Sequence, residues 1–75
     1  PDKVNIYPNP ASDNIYISNL IEKSIIKIYD IQGKLVLENK ISNKEYVNIS
    51  ILAKGIYQVK FEGNNLNETR KLIIE

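Results

Sequence analysis

The sequence predicts an all-β domain: a small seven-stranded antiparallel β-sandwich with immunoglobulin- or fibronectin-like Greek-key connections. Three observations carry this expectation. Apolar and polar residues alternate with period two in short segments along the whole chain, turn-forming residues separate those segments about every ten positions, and no stretch sustains a helical apolar stripe. A chain of 75 residues fits one domain, with no internal repeat or low-complexity tract to divide it.

The elements follow in order. Val4 to Tyr7 reads as a short first strand that Pro8 ends. Proline lacks an N–H and fixes φ, and it also restricts the residue before it, so Pro8-Asn9-Pro10 predicts an extended exit outside any hydrogen-bonded ladder. In Asn14 to Ser18 the core face is Ile15 and Ile17, and in Ser24 to Tyr29 it is Ile26 and Ile28. Asp30-Ile31-Gln32-Gly33 then forms a hairpin signal: aspartate opens a type I turn by bonding its own backbone, and glycine tolerates the positive φ that closes it.

The returning strand, Lys34 to Lys40, is expected to turn Leu35 and Leu37 inward and leave Val36 half-buried. Glu45 to Ser50 sets Val47 and Ile49 on one face. The period breaks over Ile51 to Gly55, where Leu52 is expected to plug one end of the core. From Gly55 the alternation resumes with Tyr57, Val59 and Phe61 on the inner face, until Gly63-Asn64-Asn65 supplies a turn. A last strand from Leu66 to Ile74 buries Leu72 and Ile74 and turns Lys71 and Ile73 outward.

The composition excludes several functions. Cysteine and histidine are both absent, which removes disulfides, cysteine-based zinc sites and the usual bases of nucleophilic triads. The nine acidic residues are scattered over turns and strand ends rather than paired across a cleft, and neither Asp13 nor Asp30 lies in a calcium-loop pattern. Gly33 and Gly55 belong to no phosphate-binding loop. The expectation is a non-catalytic domain with no cofactor, metal or small-molecule substrate. A net charge of +1 gives no one-signed field for nucleic acid, and no apolar run approaches a membrane span. The chain therefore reads as soluble, as monomer or weak dimer, and its initial proline reads as a cut from a longer protein.

Tyr16, Tyr29 and Tyr46 fall on outward faces. Exposed aromatics beside asparagines suit either cross-strand packing or a stacking surface for sugars, and tryptophan, which would favour the second, is missing.

Four segments combine into a pattern: Tyr7-Pro8-Asn9-Pro10, the hairpin ending in Gly33, the run Leu52-Ala53-Lys54-Gly55-Ile56-Tyr57, and the terminal Lys71-Leu72-Ile73-Ile74. Their order and spacing resemble those of the C-terminal sorting domain, type A, of the type IX (Por) secretion system, with Ile31 at the hairpin's second position and Glu75 after the apolar tail as departures. The resemblance implies a secretion address on a larger cargo, recognised in the periplasm, carried across the outer membrane to the surface or medium, and typically removed by a surface sortase. It makes Tyr7, Pro8, Asn9, Pro10, Gly33, Leu52, Gly55, Tyr57, Lys71, Leu72, Ile73 and Ile74 the sorting-motif candidates, and the secretion machinery and sortase the partners. Two other readings stand beside it: an accessory sandwich that binds glycan or matrix, and a structural spacer.

Overall fold

The computed structural model describes residues 4–20, 22–43 and 45–75. Seven strands form: β1 (Asn5–Tyr7), β2 (Asn14–Ser18), β3 (Ser24–Tyr29), β4 (Leu35–Ile41), β5 (Tyr46–Asn48), β6 (Gly55–Glu62) and β7 (Asn67–Ile74). They pair antiparallel in two sheets, ordered β1-β2-β5 and β4-β3-β6-β7, and no helix occurs among the described residues. The result is the expected all-β, sandwich-like architecture.

The core lies where the alternation places it. Ile15, Ile17, Ile26, Ile28, Val59, Phe61 and Leu72 are wholly buried, and Ile49, just past β5, joins them. Full burial of a side chain of this size contributes about 1.5–3 kcal/mol, and a domain this small buries only about 60% of its unfolded surface. Each core position therefore matters to the fold. Tyr57 also packs inward, and its hydroxyl donates to the carbonyl of Ala53 at 2.6 Å. That bond ties β6 to the connection preceding it, as a tyrosine corner does. Leu52 packs against the core while remaining half-buried, its amide closing a turn on the Ile49 carbonyl.

The β3–β4 hairpin closes as its residues predict. The Gly33 amide donates to the Asp30 carbonyl, and Asp30 Oδ1 accepts from the amides of Gln32 and Lys34, each at 2.9 Å. The strand that follows departs from the expectation. Ile28 pairs with Leu37 but Tyr29 pairs with Leu35, so Val36 is an extra residue in β4. Such a bulge reverses side-chain parity. Val36 and Leu37 both pack against the core, and Leu35, expected inside, is exposed on the outer face beside Tyr29.

A second correction concerns the prolines. Pro8-Asn9-Pro10 is a run of bends with cis Tyr7–Pro8 and Asn9–Pro10 bonds, not an extended exit. Bending turns the segment back over the other sheet, where Ala11 forms a parallel bridge with Ile74.

Gly33 has a φ of 86° with open space where a Cβ would stand, whereas Gly55 has a φ of 155° and only ordinary contact, 3.9 Å, with the Tyr57 ring. At Gly55, as at Gly33, backbone conformation and not crowding calls for glycine. We expect Gly33→Val and Gly55→Val each to destabilise by more than about 1 kcal/mol, because a β-branched residue is strained at such φ values. Urea denaturation of both variants checks this, and unchanged midpoints contradict it.

Candidate functional site

Asn9, between its two prolines, and the tail Lys71 to Ile74 meet at the outer edge of β7. In the order β4-β3-β6-β7 one side of β7 pairs with β6 and the other has no strand beside it. An uncovered edge presents unpaired amides and carbonyls that invite another chain. Asn9 and Ala11 cover it here. Asn9 Nδ2 donates to the carbonyl of Lys71 at 2.9 Å, and Asn9 Oδ1 accepts from the amide of Ile73 at 3.0 Å. One step along, the Ala11 amide donates to the Ile73 carbonyl and the Ala11 carbonyl accepts from the Glu75 amide, both at 2.8 Å.

The chemistry explains why an asparagine stands between two prolines. Pro8 and Pro10 have no N–H, so the main chain of this segment is poor in donors. A carboxamide carries the same donor and acceptor pair as a peptide group. Asn9 thus supplies from its side chain the pairing that a neighbouring strand would supply from its backbone, and Ala11 continues it with the main chain.

Further along β7, Arg70 Nε donates to the carbonyl of Val4 at 3.2 Å while its Nη1 meets Glu68 Oε1 at 2.9 Å. This second tie had no signal beyond the chain's lone arginine.

Two further candidates, Gly55 and Tyr57, lie on β6 against the same strand. Gly55 pairs with Ile74 and Tyr57 with Leu72. Leu72 and Ile74 are buried, Lys71 is exposed, and Ile73 is half-buried on the outer face, in the parity expected. Gly33 lines a cleft with Ile56, Tyr57 and Gln58 at this end of the domain. Tyr7 lies apart, its ring on the outside of the other sheet. Leu52 serves the core and does not touch the edge ties just described.

The outer tyrosines resolve differently from a simple scatter. Tyr7, Tyr16 and Tyr46 fall in one row across β1, β2 and β5. The Tyr7 and Tyr16 rings stack at 5.7 Å and Tyr16 meets Tyr46 at 5.8 Å. Ring faces are turned towards neighbouring rings, which is cross-strand packing of the kind that stabilises sheets. Tyr29 lies on the other sheet, beside Leu35 and Gln58.

A larger cleft, about 580 Å³, opens at the opposite end between Lys23, Lys40, Glu45 and Glu62, and none of the sorting-motif candidates lines it. Near it Glu62 bonds Lys27 at 3.0 Å and Lys60 at 3.2 Å. Hydrogen bonds from the two ammonium groups hold the Glu62 carboxyl below its ordinary value, and the Glu62 bond raises Lys27. The Glu62 contribution is therefore complete above pH 4.5 and is lost as pH falls through the lower folded value. Among the described residues no group of three or more acidic side chains could hold a metal ion.

Fold and site define a small β-sandwich whose last strand is held on its free edge by a side-chain amide and a single bridging residue. The chain matches the secretion system C-terminal sorting domain over residues 5–75, nearly its whole length, and it belongs to that family, the sorting domains of type IX secretion. Comparison with curated proteins gives no match.

The clamp has a measurable consequence. We expect Asn9→Ala to lower stability by about 1–2 kcal/mol, the sum of two exposed hydrogen bonds, and Asn9→Asp, which keeps the acceptor and loses the donor, to fall between. Urea midpoints of the three proteins check the order; equal midpoints would show that the edge does not need the carboxamide.

Proposed function

We propose that this chain works as a folded address whose legible part is the outer side of β7. Membership of the family establishes a C-terminal sorting signal for type IX secretion, and with it export across the outer membrane to the cell surface or medium. The finer reading is that the domain ends a larger cargo, is recognised during passage through the periplasm by the secretion machinery, and is afterwards removed by a surface sortase. It does this as a monomer or weak dimer and without catalysis.

One observation supports this most strongly: the tail Lys71 to Ile74 is locked at both edges, by β6 on one side and by Asn9 and Ala11 on the other. A receptor meeting it finds fixed side chains, Lys71 and Ile73, rather than a strand to pair with. Preorganisation of this kind lowers the ordering cost of recognition. It also argues against a spacer, which needs no defined terminal strand.

A reporter exported to the periplasm and carrying this chain at its C-terminus tests the reading in a bacterium with type IX machinery. The reporter is expected at the surface or in the medium. Lys71→Ala is expected to leave the melting temperature almost unchanged, since exposed ion pairs contribute only about 0–1 kcal/mol and this lysine makes none among the described residues, yet to impair secretion. Deleting residues 71–75 is expected to abolish secretion and to weaken the fold, because Leu72 and Ile74 leave the core with it. Normal secretion of the deletion variant would place the address elsewhere.

A further inference from the structure

The outer face of the four-stranded sheet is divided into two chemically distinct halves. Cross-strand register sets Leu35, Tyr29, Gln58 and Lys71 in one row, with Ile56 beside Ile73 in the next. Ile31 projects from the hairpin at the same end. Towards the other end the rows are charged: Glu38, Lys27 and Lys60, then Lys40, Ile25 and Glu62.

Three features distinguish the first half. It is apolar and exposed, with Ile31 at 81%, Ile56 at 48% and Leu35 at 42% of their full accessibility. It is also concave, since Tyr29, Asp30, Ile31, Gly33, Ile56 and Gln58 surround a cleft of about 370 Å³. Finally, its lysines are unpaired. Lys34 follows Gly33 of the cleft wall, Lys54 has the parity of Ile56, and Lys71 ends the row that holds Tyr29; none of the three has a carboxylate within salt-bridge distance among the described residues. In the charged half Lys27 and Lys60 both meet Glu62, and Lys40 makes no ion pair among the described residues. The one carboxylate in the cleft wall, Asp30, is engaged with its Oδ1 in the hairpin turn.

We propose that this half-face is a docking surface for a protein partner that inserts an apolar side chain into the Tyr29–Ile31–Ile56 cleft and sets carboxylates against Lys34, Lys54 and Lys71. It rests on the sorting reading and deepens it by naming the chemistry that the machinery presents. Apolar anchors in a pocket with charge complementarity at the rim are how such interfaces divide affinity and steering. A second copy of this chain fits less well, because a two-fold contact would set the same lysines against one another. A lipid surface fits less well too, because Tyr29 and Ile56 line a hollow that a flat bilayer would leave unfilled.

The experiment uses the same reporter fusion, with purified domain alongside. The double variant Ile31→Lys, Ile56→Lys changes two exposed positions and is expected to keep the wild-type melting temperature while surface reporter falls about tenfold or more, the loss that follows removal of an anchor. Lys34→Glu, Lys54→Glu is expected to reduce secretion likewise, whereas Lys40→Glu, at the charged end, leaves it unchanged. Wild-type secretion of both double variants overturns the proposal and leaves the sorting reading intact. Failure of the unmodified fusion to leave the periplasm sinks the sorting reading itself. Two further results also overturn the proposal: a concentration-dependent dimer in sedimentation that Ile56→Lys abolishes, and binding to phosphatidylglycerol vesicles that Lys34→Glu, Lys54→Glu abolishes.

Discussion

Two hydrogen bonds from one exposed carboxamide hold the arrangement on which the rest depends. Asn9 lies in the connection between β1 and β2, which belong to the three-stranded sheet, and its partners Lys71 and Ile73 belong to the edge of the other sheet, 62 and 64 residues away in sequence. The contact therefore joins the two sheets at the same time as it covers an open edge. Ala11 and Arg70 extend the junction on either side. With the edge covered, the only parts of β7 that remain readable are its outward side chains. A motif that looks in sequence like a strand stop is in structure the counterpart of the tail.

Much of the fold was legible because its strands alternate. Ile15 and Ile17, Ile26 and Ile28, Val59 and Phe61, Leu72 and Ile74 all lie where parity puts them, since a half-buried strand leaves no other place for an apolar face. Leu35 was misplaced for a physical reason. One extra residue in its own strand, Val36, puts Leu35 and Leu37 on opposite faces, and nothing in Lys34-Leu35-Val36-Leu37 marks where the ladder slips. The hairpin was visible because its chemistry is local to Asp30 and Gly33.

The candidate site was half legible. Local pattern showed the outward parity of Lys71 and Ile73, and showed that Pro8 and Pro10 exclude ladder pairing. That their exclusion leaves a side-chain amide to act as a peptide group depends on a partner more than sixty positions away, which no local pattern encodes. The tyrosine row likewise required strand order: Tyr7, Tyr16 and Tyr46 are unremarkable singly and become one row of contacting rings only through the β1-β2-β5 register. The chemical division of the outer face is also a property of register. It gives the domain one surface of cross-strand rings, one charged surface with the Glu62 ion pairs, and one apolar surface whose lysines make no ion pair among the described residues.

Amide hydrogen exchange at Ile73 tests the central claim most directly. This amide faces away from β6 and has no strand beside it, so only Asn9 Oδ1 shields it. If the carboxamide pairs with β7 as a strand's backbone would, the Ile73 amide exchanges as slowly as amides inside the β6–β7 ladder, and the Glu75 amide, bonded to Ala11, is protected with it. Exchange of Ile73 at the rate of an unstructured peptide, while the β6–β7 ladder remains protected, would contradict the account.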